Sequence, residues 1–262
     1  MRASLDQGSV EYDDRGRGDA LLLLHAFPLA RFMWDALAAS LAPHYRVIAF
    51  DARGFGASPL GEGPLTMDRI ADDAAELLDG LGVAQAVVGG CSMGGYAAFA
   101  FARRHPARLR ALYLQDTRAV ADGEEARRGR ASLAERVLRE GAAPAVDALL
   151  PKLLGATTQR EQPGLVRALT ARILATSPQA IVNALHGLAA RADSRETLPK
   201  LRVPTLVLAG SEDAIVPLAE SDAMAQAIPG ARLEIVPRAG HLANLEQPEA
   251  VAAALSGFLK GL

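Results

Sequence analysis

The sequence predicts an α/β fold in which a mostly parallel sheet is flanked by helices and interrupted by an all-helical insertion. Three observations point to it. Short unbroken apolar runs alternate with longer stretches of helical periodicity in the first half and again near the C-terminus, and runs of that length fit strands buried on both faces of a parallel sheet. Between about residues 118 and 198 no convincing strand occurs and only helical faces remain. The β-α-β-α order on either side requires three layers joined by right-handed crossovers.

Taken in order, the first run is Leu21-Leu22-Leu23-Leu24, and the helical spacing of Phe32-Met33-Trp34, Leu37 and Leu41 follows it. Val47-Ile48-Ala49-Phe50 forms the next strand. Thr66 to Leu81 opens on a capping residue, Thr66, and sets Ile70, Ala74, Leu77, Leu78 and Leu81 on one helical face. Ala86-Val87-Val88 and Leu112-Tyr113-Leu114 are strands separated by a helix from Tyr96 to Arg104. Within the insertion, Leu133/Val137/Leu138, Val146/Leu149/Leu150/Leu153 and Leu165/Leu169/Ile173 mark helical faces, and Pro144, Pro163 and Pro178 stand where helices begin or break. Its arginines, among them Arg127, Arg128, Arg130, Arg136 and Arg139, read as a solvated face. After Pro204 come the strand Thr205-Leu206-Val207-Leu208, a helix over Ala219 to Ala227, the strand Leu233-Glu234-Ile235-Val236 and a last helix from Pro248. The expected division is a core of residues 1–117 and 199–262 and a helical insertion of residues 118–198.

The totals narrow the function classes. A chain of 262 residues is long enough for one well-buried core with a small accessory unit. Half the residues are hydrophobic and 22% are charged, with a formal net charge of −2, so no overall electrostatic footprint points to nucleic acid or an anionic membrane. A single cysteine, Cys91, excludes an intramolecular disulfide and suits a reducing compartment. Met1 to Val10 carries no apolar run of the secretory kind, and Leu21 to Leu24 is far too short to cross a bilayer. The expectation is a soluble, cytoplasmic protein.

The strongest local signal is Gly90-Cys91-Ser92-Met93-Gly94, flanked by Gly89 and Gly95, between a strand and a helix. This is the context of a strand–nucleophile–helix elbow, although a glycine-rich turn that only packs helix on sheet would look similar. Cys91 fits the frame less well than Ser92, having Gly89 and Met93 at minus two and plus two, and reads as a buried, inert thiol. A serine needs a base, and an acid and a histidine should follow it in that order, each after a strand. Asp213 follows the strand ending at Leu208, and His241 follows the strand ending at Val236. His241 would take the proton of Ser92 and deliver it to the leaving group, while Asp213 would fix the imidazole tautomer. Asp116, also just past a strand, is the rival acid, and Glu212 is the adjacent one. His44, His105 and His186 lack any such context and read as surface or packing residues. The oxyanion donors are expected to be the backbone N–H groups of Met93 and Phe27, the latter on the loop His25-Ala26-Phe27-Pro28.

These motifs resemble the α/β-hydrolase superfamily over nearly the whole chain. The resemblance rests on His25-Ala26-Phe27-Pro28, where Ala26 replaces the usual glycine, and on Asp51-Ala52-Arg53-Gly54-Phe55-Gly56-Ala57-Ser58. The elbow, the block from Gly210 to Pro217 and the pair Gly240-His241 complete it. It implies an eight-stranded, mostly parallel sheet with a helical lid inserted between strands six and seven. The departure at Ala26 raises the expectation of a bent loop or a narrowed acyl pocket. Leu114-Gln115-Asp116-Thr117-Arg118 with Glu125-Ala126-Arg127 is similar to esterases and enol-lactonases related to 3-oxoadipate enol-lactonase.

The resemblance implies hydrolysis of a small to medium carboxylic ester or lactone through an acyl-enzyme, with water as the second substrate. A perhydrolase on the same triad and a non-catalytic ligand-binding protein are the alternatives. Epoxide hydrolases and dehalogenases of this type carry an aspartate at the elbow, and Ser92 argues against them. Phe27, Met93 and Trp34 are candidates for an apolar pocket, with Trp34 more often a core residue. No phosphate-binding, dinucleotide-binding or zinc-binding motif occurs, so neither cofactor nor metal is expected.

Overall fold

The computed structural model describes residues 1–262. Eight strands form one sheet: β1 (Arg2–Leu5), β2 (Gly8–Arg15), β3 (Ala20–Leu24), β4 (Arg46–Phe50), β5 (Ala86–Cys91), β6 (Leu109–Gln115), β7 (Thr205–Gly210) and β8 (Arg232–Val236). Their spatial order is β1-β2-β4-β3-β5-β6-β7-β8. β1 and β2 pair antiparallel, as do β2 and β4, and every other pairing is parallel.

The core helices are α1 (Asp35–Leu41), α2 (Met67–Gly80) and α3 (Met93–Arg104). Between β6 and β7 the chain forms α4 (Glu124–Glu140), α5 (Ala143–Leu153), α6 (Ala156–Glu161), α7 (Pro163–Leu174) and α8 (Pro178–Ala189). After β7 come α9 (Leu218–Ala227), α10 (Ala243–Glu246) and α11 (Pro248–Leu259). α2 packs on α3 and α1 packs on α11, while α3 lies against β3, β5 and β6. No helix is long and apolar enough to cross a membrane.

Local chemistry accounts for these elements. Every residue of β3, β5 and β7 is buried, and each fully buried leucine contributes about 1.5–3 kcal/mol. Thr66 caps α2 as its sequence position suggests, its side chain accepting the Arg69 N–H at 3.1 Å. Pro163, Pro178 and Pro248 each begin a helix, where the missing N–H costs nothing.

The hairpin β1–β2 departs from the sequence reading, which assigns no strand to the first fifteen residues. Apart from buried Val10, its residues are half-buried or exposed, and many are charged, so no apolar run marks them. Ion pairs accommodate the charges: Arg46 forks onto Asp14, with a closest contact of 2.7 Å, and Arg2 pairs with Glu11 at 2.6 Å. Charged edge strands of this kind discourage pairing with other chains.

The parallel register positions the site. Leu24 pairs with Phe50 and Gly90, Cys91 with Gln115, Gln115 with Leu208, and Gly210 with Val236. The loops that begin at His25, Asp51, Ser92, Asp116 and Ser211 therefore emerge side by side at the carboxyl edge of the sheet, where open α/β sheets bind ligands.

Candidate active site

Ser92 stands between β5 and α3 with φ 52° and ψ −112°. A non-glycine residue in that region stores about 1–3 kcal/mol of strain. The turn is possible only because its neighbours lack side chains. A Cβ on Gly90 would run into the backbone of Gly94, and one on Gly94 into the carbonyl of Leu24. From the other side, Thr117 Oγ1 donates to the Ser92 carbonyl at 2.9 Å. Met93 opens α3, so its N–H is among those with no carbonyl partner inside the helix.

His241 is buried, and its Nδ1 lies 2.8 Å from Asp213 Oδ2. The other Asp213 oxygen accepts the N–H groups of Ile215 at 2.7 Å and Val216 at 3.0 Å. With both oxygens occupied, the carboxylate holds the ring with Nδ1–H toward itself and leaves Nε2 as the acceptor. The elbow and the His241 turn touch at Cys91 Sγ, 3.5 Å from the His241 carbonyl oxygen. In hydrogen-bonding geometry the ring meets Asp213 and not the Ser92 hydroxyl.

Asp116 occupies a different role from the one its strand-end position suggests. Its backbone has φ 44°, and its fully buried carboxyl accepts the Gly210 N–H at 2.7 Å and the Gln115 side-chain amide at 3.1 Å. Burial and the nearby Asp213 charge push this carboxyl well above the usual range, against the pull of those donors. Asp116 thus braces the end of β7 and makes no hydrogen bond to the His241 imidazole. Gln115 and Asn244, the latter passed over by the sequence reading, extend this buried layer. Gln115 Nε2 reaches Asn244 Oδ1 at 2.9 Å, and Asn244 Nδ2 donates to the Met33 carbonyl at 2.6 Å.

The loop after β3 is fixed by His25. Its Nδ1 lies 3.0 Å from the Ala26 carbonyl and its Nε2 accepts the Ala52 N–H at 2.9 Å. Burial holds this imidazole below its usual pKa and so neutral. Ala26 is buried, its φ is not positive, and its N–H points to Met33 Sδ at 3.2 Å. The backbone at Ala26 thus lies outside the left-handed region, and the methyl group is held there without that strain. Phe27 is buried beside Phe55, and its bond to Pro28 is cis.

The Asp51–Ser58 motif is architectural. Asp51 accepts the N–H of Arg31 at 2.8 Å and that of Ala57 at 2.9 Å, and it also pairs with the Arg31 guanidinium. Arg53 forks onto buried Asp73 with two contacts of 2.7 Å. Trp34 is fully buried edge-on to Tyr113 and is a core residue. His44 and His186 are exposed, and His105 pairs with Asp72 at 2.8 Å. Cys91 is buried, and burial pushes its thiol pKa up.

A cavity of 630 Å³ opens between Pro28–Phe32, the Gly54–Ser58 turn and the α7–α8 junction, and none of Ser92, Asp213 or His241 lines it. The reacting groups of the candidate site lie instead at the elbow and the His241 turn. No group of three or more His, Cys, Asp or Glu side chains is placed to hold a metal ion.

Residues 19–248 match the family described as alpha/beta hydrolase fold. The chain belongs to this family. The hydrolase is 30% identical over 257 residues to 3-oxoadipate enol-lactonase 1 of Acinetobacter baylyi, spanning 97% of this chain and 93% of the relative. Its structure is similar to that of a thermophilic esterase from Thermogutta terrifontis, with a TM-score of 0.96 and 42% identity, covering 100% of this chain and 98% of the other. It is also similar to the enol-lactonase from Burkholderia xenovorans, with a TM-score of 0.92 and 29% identity, covering 99% and 100%.

Proposed function

We propose that this hydrolase cleaves small to medium carboxylic esters or lactones through an acyl-enzyme formed on Ser92. The observation that carries the reading is the His241–Asp213 pair at 2.8 Å, on a turn that meets, through Cys91, the elbow holding Ser92 at positive φ. His241 Nε2 takes the proton as Ser92 Oγ bonds to the carbonyl carbon, and the carbonyl π electrons move to oxygen. The N–H groups of Met93 and Phe27 stabilise that oxyanion. Collapse expels the alkoxide, which takes the proton from His241. Water repeats the sequence, with His241 as base, and releases the acid. Serine–histidine contacts are often long or poorly aligned in ligand-free sites and tighten with substrate.

Residues 118–198 are proposed as the cap that sets substrate choice. Support comes from the first turn of α6, where Thr157 bonds Glu212 beside Asp213, with N–H and hydroxyl contacts of 2.8 and 2.6 Å. The ester and lactone classes follow from the named activities of the relatives. Hydrolysis of p-nitrophenyl acetate and butyrate by the wild type and by Ser92→Ala tests the reading. The wild type should turn over, and the variant should lose about four to six orders of magnitude in kcat. Equal activity in the two proteins would remove Ser92 from the mechanism.

A further inference from the structure

Glu246 is buried at the end of α10, five residues beyond His241, and has no part in the mechanism above. Its carboxylate is surrounded by backbone donors. Oε1 accepts the N–H of Gly240 at 2.9 Å and that of Leu242 at 3.2 Å, the two residues flanking His241. Oε2 accepts the N–H of Gly155 at 2.8 Å, from the turn between α5 and α6. One side chain therefore joins the His241 turn to the inserted helices.

The two turns also touch directly. A Cβ on Gly240 would collide with the backbone N of Gly155, and a Cβ on Gly155 would stand 2.9 Å from Gly240 N. The glycine of the Gly240-His241 pair is thus required by the chain passing over it. A displacement of either turn is transmitted to the other.

We propose that Glu246 is a positioning residue for His241, setting the imidazole between Ser92 and Asp213 and registering it against the inserted helices. The proposal rests on the reading of His241 as the proton carrier. All three partners are donors, so only a side chain with two acceptor oxygens satisfies them. Glutamine has one acceptor. Whichever way its amide lies, an NH2 group faces a backbone N–H, and the repulsion reaches the His241 turn through the Gly155–Gly240 contact.

Glu246→Gln is compared with the wild type by steady-state kinetics on p-nitrophenyl butyrate and by proton NMR. The downfield Nδ1–H resonance of the His241–Asp213 bond is assigned by its loss in His241→Gln. The expected result is a fall of about 10- to 100-fold in kcat, because small misplacements of catalytic groups cost that much. KM should stay within about threefold, and the resonance should shift or broaden while far-UV circular dichroism is unchanged. Unaltered kcat, or an unshifted resonance, would overturn the proposal and leave Glu246 as a fold staple. A wild type inactive on esters would instead count against the functional reading, and the resonance would still decide the role of Glu246. Glu246→Asp, which withdraws the carboxylate by one methylene, gives the same readouts if the glutamine variant does not fold.

Discussion

Strand β3 and helix α4 contrast sharply in burial. All five residues of β3 are buried, whereas among the seventeen of α4 only Ala134 and Val137 are. The sheet holds its loops by close packing on both faces. The inserted segment meets the core through Leu65 N–H on the Asn183 carbonyl at 3.0 Å, Arg103 on the Ser194 hydroxyl at 2.8 Å and Gly155 N–H on Glu246 at 2.8 Å. Arg191 also lies over the Tyr96 ring, 4.2 Å from its centroid. Within the insertion α8 is mostly buried, from Ala180 to Leu188, so the exposed character belongs to α4 rather than to the whole segment.

The sharpest break in this comparison lies within the core, between two carboxylates on neighbouring strands. Asp213→Asn should lower kcat by about 10⁴-fold, because the amide favours the wrong imidazole tautomer. Asp116→Asn, which keeps an acceptor for the Gly210 N–H, should lose far less. Steady-state kinetics on the two variants checks this, and the reverse order would exchange their roles.

A smaller effect contrasts the two regions in stability. Leu22→Ala, at a fully buried position of β3, should cost about 2–5 kcal/mol. Leu138→Ala, 59% exposed on α4, should lie within about 0.5 kcal/mol of wild type. Urea unfolding measures both, and comparable losses would mean that the helices are as integral to the fold as the sheet.

The smallest effect concerns the tie at Glu212. Hydrogen bonds from Thr157 hold its carboxyl below the usual range. A folded-state pKa below the unfolded value gives stability that is complete above the unfolded pKa of about 4.3 and is lost as pH falls through the folded value. Glu212→Gln should therefore destabilise by about 1 kcal/mol at neutral pH, and the difference should shrink as the pH drops below about 4.3. Thermal melts across that range check it, and a gap that widens in acid would contradict the sign.

How much of this was legible in the sequence differs by residue. Leu21–Leu24 and Thr205–Leu208 announce themselves because burial on both faces demands unbroken apolar runs. The positions of Ser92, Asp213 and His241 past strands β5, β7 and β8 are legible by their order, and that of Ser92 also by its glycines. The hairpin β1–β2 is hidden because its charges are satisfied by Arg46 and Arg2, and pairing across the sheet leaves no local pattern. Asp116 and Asp213 look alike in sequence because both follow strands, and adjacent strands β6 and β7 bring them together. Only the direction of each side chain separates them. Glu246 is invisible for the same reason: its partner Gly155 lies 91 residues away.

Covalent labelling decides whether Ser92 is the nucleophile. The protein is incubated with a fluorophosphonate, whose phosphorus is attacked by an activated serine as fluoride departs, and intact mass and peptide mapping follow. The expected result is one phosphonyl group per chain, carried by Ser92, with none on Ser92→Ala and markedly slowed labelling of His241→Gln. Labelling at another residue, or wild type that stays unmodified while it hydrolyses esters, would contradict it.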